Sequence, residues 1–119
     1  MKKIAHLRNI ADKLWFHIYL KPICEVCGKP AKQLHHFYYK QNYSHLRYDP
    51  NNGISLCLSC HFLLHHQDPK KITDKIIEKR GDKWYRTLYA KASCPPKNFK
   101  TNLKYYQDII EILKNYEKK

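Results

Sequence analysis

The residues able to do chemistry are gathered between positions 24 and 66, CEVCGKPAKQLHHFYYKQNYSHLRYDPNNGISLCLSCHFLLHH. Four of the five cysteines stand here as two Cys-x-x-Cys pairs, Cys24/Cys27 and Cys57/Cys60. A Cys-x-x-Cys turn lets two thiolates converge on one ion, and two such turns complete a tetrahedral shell of four sulfurs. Gly28, directly after Cys27, suits a tight knuckle whose backbone must take a positive φ. Between Cys27 and Cys57 lie 29 residues, so the intervening stretch must carry structure of its own. A disulfide framework fits poorly without a secretory signal, and a single thioredoxin-type redox motif would not account for two pairs. The expectation is a structural Zn2+ held by Cys24, Cys27, Cys57 and Cys60.

Four thiolates saturate a zinc ion, so the histidines of the same stretch need separate work. The doublet His35-His36, Asn52 five residues before Cys57, and His61 directly after Cys60 resemble the HNH endonuclease family, whose core is a ββα-metal hairpin and helix. Many members carry the same two zinc knuckles, and the resemblance covers 43 of the 119 residues. It implies His36 as general base, His35 and His61 as ligands of a catalytic divalent ion, and Asn52 as the residue that braces the loop and orients the base. Two positions depart from the family: His35 stands where many members have Asp, and Leu64 or His65 falls where many have a basic residue. A histidine doublet by itself is ordinary surface decoration, and Asn52 within Asn-Asn-Gly is also a turn residue. The register of the whole set is what argues for chemistry.

The chemistry of imidazole agrees with that assignment. A neutral imidazole titrates near pH ~6.5 and can take a proton from water at working pH. His61 and His65 are four residues apart, so a helix presents both on one face, and His65 is a further candidate ligand. His66 points elsewhere and reads as solvated. Imidazole ligands suit Mn2+, Ni2+, Co2+ or Zn2+ as readily as Mg2+, which leaves the catalytic ion open.

The chain carries 23 Lys and Arg against 10 Asp and Glu, a net charge of +13. On so small a protein that is the footprint of a polyanionic partner. The basic residues are spread along the sequence rather than along one amphipathic helix, which favours DNA over a membrane surface. No apolar run of about 18 residues exists to span a bilayer. Residues 1–20 are interrupted by Asp12, Lys13 and His17, unlike a signal peptide, so the reading is cytoplasmic, in a bacterial cell or a phage-infected host. Lys40, His45 and Arg47 are candidate phosphate contacts. Ten of the aromatics are Tyr; some could stack on bases, but most fall at helix or strand spacing and read as packing.

The elements that must position these residues give an α+β protein, a single domain over 1–119. An N-terminal helix fills 1–22, with apolar positions 4, 7, 10/11, 14/15 and 18 and a stop at Pro22. The core, 23–67, has a first strand at Gln33–Tyr38, a turn at Asp49–Gly53, a second strand at Ile54–Leu56 and a helix from about Ser59 to His66. The helical extension, 68–119, starts at the cap Asp68-Pro69 and breaks at Gly81. Asp82 caps the next helix, which ends at Cys94-Pro95-Pro96, and Cys94 is a lone thiol. A last helix over 99–117 has a stripe that fits either packing on the domain or a homodimer, and Lys118-Lys119 read as a frayed end.

The Arg-Tyr-Asp-Pro-Asn-Asn run at 47–52 and the segment at 80–88 resemble, more loosely, the phage NinG/Rap recombination nucleases. That second resemblance implies branched DNA as substrate and a phage context. The expected reaction is metal-dependent hydrolysis of a DNA phosphodiester. Two rivals stand beside it. A non-catalytic zinc-knuckle nucleic-acid-binding protein explains the charge and the cysteines, but not the histidines in register. A degenerate fold serving phage assembly is the other.

Overall fold

Helical spacing of apolar residues folds Lys2–Tyr19 into α1 in the computed structural model, which describes residues 2–117. The helix closes with Leu20 N donating to Phe16 O, ahead of Pro22. The expected end at Lys118-Lys119 lies outside the described residues. Two short strands follow, β1 (Gln33–His36) and β2 (Gly53–Leu56), paired antiparallel with His35 opposite Ile54 and His36 opposite Gly53. Helices α2 (Leu58–His66), α3 (Pro69–Arg80), α4 (Asp82–Ser93) and α5 (Leu103–Glu117) complete the chain.

Local chemistry explains most boundaries. Gly28 takes φ +81 in the first knuckle, where Gly28 N donates to Cys24 O, and Gly81 takes φ +98 between α3 and α4. The Asp68 side chain accepts from Lys71 N and caps α3. The structure corrects four sequence-level expectations. The first strand stops at His36, because the Asn52 side chain takes the Tyr38 backbone groups. Asp82 is the first helical residue rather than the cap of α4, and it pairs with Arg86 instead. The second knuckle's Cys57 caps α2 through its sulfur, so the helix begins at Leu58. The last helix begins at Leu103, with Asn102 Oδ1 accepting from Tyr105 N, and not at 99.

Three apolar clusters hold these elements. Val26, Ile54, Leu56, Leu64, Ile72 and Ile76 pack around the cysteines and fix α2 and α3 on the hairpin. Ala11 and Trp15 of α1 meet Tyr106 and Leu113 of α5, with Leu34 and Tyr48 beneath. The buried face of α5 therefore packs within the chain. Leu46, Leu88 and Ala92 seat α4 under the loop between the strands. One ion pair spans the core: Arg80 at the end of α3 grips Glu25 inside the first knuckle with Nε and Nη2 and also donates to Gly53 O. Glu25 in turn accepts from Ser55 N at 2.7 Å.

Gly53 is required for space rather than for φ. A Cβ there would lie 2.9 Å from Cζ2 of Trp15 and 3.1 Å from Cδ1 of Leu34. Gly53→Ala is expected to lower stability by about 1–3 kcal/mol, the usual cost of overpacking. Urea unfolding checks the loss, and a shift of tryptophan emission in the folded state checks that Trp15 is what moves.

Candidate active site

The two knuckles meet as the sequence requires. One sulfur from each of Cys24, Cys27, Cys57 and Cys60 lies within 4.8 Å of all the others. Cys27 Sγ and Cys57 Sγ are 3.4 Å apart. Zinc–sulfur bonds of about 2.3 Å place neighbouring sulfurs about 3.8 Å apart in a tetrahedron, so the cluster fits a structural zinc ion with little adjustment. Backbone N–H groups point at the sulfurs: Val26 N at Cys24 (3.4 Å) and Cys60 N at Cys57 (3.3 Å). Burial pushes the Cys24 thiol up, but backbone N–H groups of residues 27, 57 and 26 outweigh it and bring it down to about 7. Burial, with the other thiols beside it, pushes the Cys60 thiol up. Cys94 is exposed and apart from this cluster.

The histidines divide. Successive strand residues point to opposite faces, so β1 sends His35 and His36 in different directions. His35 turns to α2, where its ring meets His61 and His65 at 5.8 and 5.3 Å between centroids. One nitrogen from each of the three lies within 4.8 Å of the others, and His61 Nε2 and His65 Nε2 are 3.1 Å apart. Nitrogen–metal bonds of about 2.0–2.1 Å need nitrogens about 3.3 Å apart, so the trio fits a divalent ion. Burial, then His65 and His61, push the His35 imidazole down to about 3. Burial lowers His61 as well. Both rings are thus neutral at ordinary pH, the form in which imidazole ligates. His66 is exposed and rests on Phe62, outside the trio.

His36 turns to α1 instead. Its ring lies flat on Trp15, 4.3 Å between centroids and 13° between planes. Its Nε2 is 3.0 Å from Arg47 O. A carbonyl only accepts, so Nε2 must carry the proton and Nδ1 keeps its lone pair. Burial lowers the His36 pKa, Lys40 and the Arg47 guanidinium lower it further, and the Arg47 carbonyl and Asp12 oppose them. His36 and the trio line one cleft of about 430 Å³, together with Tyr39, Lys40 and Gln41.

Asn52 is wholly buried and does not reach the cleft. Its Oδ1 accepts from Tyr38 N at 2.8 Å, and its Nδ2 donates to Tyr38 O and Leu46 O, both at 3.1 Å. It ties down the loop that leads to the Arg47 carbonyl. Of the expected phosphate contacts, Lys40 is exposed on the cleft wall. Arg47 is engaged within the chain: Nε and Nη2 grip the Asp12 carboxylate at 3.0 and 2.7 Å. His45 Nε2 bonds Lys91 O at 2.9 Å, and His45 does not line the cleft. Sequence reasoning missed Asp12 and Trp15. Trp15 lay in the apolar stripe of α1 but gave no sign of the ring it covers, and Asp12 sat beside that stripe as an ordinary charge.

A hairpin and a following helix, with one histidine cluster between them and a cysteine cluster at their bases, define a ββα metal-binding module. Residues 24–71 match the family model described as HNH endonuclease. No curated protein and no solved structure matches the chain significantly.

Structural zinc contributes about 10–16 kcal/mol in zinc-finger peptides, as much as the whole stability of most domains, about 5–15 kcal/mol. Chelation, or Cys60→Ala, is therefore expected to release one zinc per chain and to abolish most of the helical circular dichroism. Retention of the folded spectrum without zinc would remove the structural role.

Proposed function

We propose that the protein is a metal-dependent endonuclease that hydrolyses DNA phosphodiester bonds. One observation carries the reading: a three-imidazole ligand set and a separately held fourth imidazole line the same cleft. His35, His61 and His65 would hold the catalytic divalent ion. When bound, such an ion polarises a phosphate and stabilises the leaving oxygen. His36, with Nε2 tied to the Arg47 carbonyl, offers Nδ1 to take the proton of an attacking water. Asn52 holds the loop that supplies that carbonyl. Lys40 and the general excess of basic residues would hold the phosphate backbone without regard to sequence. The resemblance to phage recombination nucleases makes branched DNA the substrate to try beside duplex. By family resemblance the products carry 5′-phosphate and 3′-hydroxyl ends.

The test is cleavage of supercoiled plasmid and of a synthetic four-way junction with Mg2+, Mn2+, Ni2+ or EDTA. Wild type is expected to cut with a divalent ion and not with EDTA. His36→Ala is expected to cut about 10²–10⁴-fold more slowly, the usual contribution of a general base. DNA bound but not cut under every ion, with zinc at one per chain, would establish the binding-only reading in its place.

The pH dependence has a definite sign. The base acts when neutral, and the His36 pKa is lowered from its ordinary 6.5. Activity is therefore present above the folded-state pKa and lost as pH falls through it. The acid limb of the single-turnover rate profile is expected below pH 6.5, and an acid limb above that value would argue against His36 as the base.

A further inference from the structure

We propose that α1, which lies outside the matched segment, is part of the active site, with Asp12 as a positioning residue for His36. The inference rests on the reading of His36 as general base. An imidazole acts as base only through the nitrogen that lacks the proton, so its tautomer must be fixed and its ring held in place. The Arg47 carbonyl fixes the tautomer by accepting from Nε2 at 3.0 Å. That carbonyl sits at the end of a single 3-10 turn, Ser44–Leu46, held there by Arg47 N donating to Ser44 O at 3.2 Å. A turn this short does not hold a peptide rigidly by itself.

Asn52 holds the preceding carbonyl, Leu46 O, and the Arg47 side chain supplies a second anchor. Its guanidinium makes two bonds to Asp12, one to each carboxylate oxygen, at 3.0 and 2.7 Å. Paired bonds of this kind fix orientation as well as distance. Tyr48 OH donates to the same carboxylate at 2.7 Å, so Asp12 grips two consecutive residues of the loop. One turn further along α1, Trp15 lies flat on the His36 ring. Asp12 and Trp15 are three residues apart and share a face of the helix. One holds the edge of the base through Arg47, and the other covers its face. Gly53, opposite His36 in the hairpin, leaves the room that Trp15 fills.

The test reads the tautomer directly and needs no catalysis. In 15N-labelled, zinc-loaded protein at a pH well above the imidazole range, the two ring nitrogens of His36 are expected to give distinct signals, Nε2 protonated and Nδ1 not. Asp12→Asn keeps the size of the side chain but loses its charge, and the two signals are expected to converge as the tautomers interchange. The single-turnover cleavage rate should fall by about 10²-fold, the scale of a small misplacement of a reacting group, with the Kd for DNA unchanged. Tyr48→Phe removes one bond to the same carboxylate and leaves the Arg47 grip. It should lower the thermal midpoint and leave the His36 signals as they are. Arg47→Lys keeps a charge against Asp12 without the two-pronged grip, and should shift the signals part of the way.

Unchanged His36 signals in Asp12→Asn, or in Arg47→Lys should the first variant not fold, would overturn the proposal. So would Tyr48→Phe moving them as far as Asp12→Asn, since that would mean general loosening. If wild type cuts no DNA, the nuclease reading falls, while the ring signals still decide whether Asp12 positions His36.

Discussion

Two strands of four residues do not hold together in water, and the candidate site depends on what holds them. The Cys24–Cys27 knuckle precedes β1, while Cys57 and Cys60 close β2 and open α2. Drawing the four sulfurs together therefore ties both ends of the hairpin to the start of the helix in one step. His61 follows Cys60 directly, so the cluster that organises the fold also sets how far His61 stands from His35. The Glu25–Arg80 pair adds a second tie from the same knuckle to the end of α3, buried and shared with the backbone of β2. Metal ligation at the base of the module thus governs geometry at its mouth.

The two-residue period of a strand does the rest. Placing two histidines in succession on β1 sends one to α2 and the other to α1, and the two faces are built differently. The α2 face brings His61 and His65 to His35, and burial lowers the pKa of His35 and of His61. The α1 face offers a flat aromatic surface and a carbonyl whose position is secured by a half-buried ion pair. A ligand set needs lone pairs converging on a point, whereas a base needs one nitrogen kept free. In the proposed function the doublet would meet both needs, because its members do not share surroundings.

What was legible in the sequence was local. The cysteine pairs, the positive φ at Gly28 and Gly81, the Asp68 cap and the i, i+4 relation of His61 and His65 each follow from residues a few positions apart. The convergence of the three histidines was legible in two ways, His35 and His61 from the family resemblance and His65 from its helical spacing to His61. The support of His36 was not, since Asp12 and Trp15 act on residues 35 and 21 positions away and nothing near them in the chain marks the contact. The partners of Arg47 and His45 were hidden for the same reason. Both look free in a polar loop, but long-range partners on α1 and α4 take their hydrogen bonds. The strand end at His36 was misplaced because a side chain, Asn52, substitutes for the next ladder bonds.

The absence of carboxylates from the cleft lining also bears on its chemistry. In the proposed function, imidazole ligands would bring no negative charge, so a divalent ion among them would keep its full charge to face a phosphate. An Asp at position 35 would cancel part of that charge and would add hard oxygen ligation. Burial of His35 works in the same direction, since a ring pushed down to about 3 does not compete for a proton when an anion approaches. The net charge of +13 adds a long-range attraction for a polyanion, but ionic strength screens it beyond about 10 Å. The ion's field inside the cleft is short-range and far less screened. In the proposed function, attraction to DNA and the chemistry on a single phosphate would therefore rest on separate parts of the molecule, one spread over its surface and the other confined to four imidazoles.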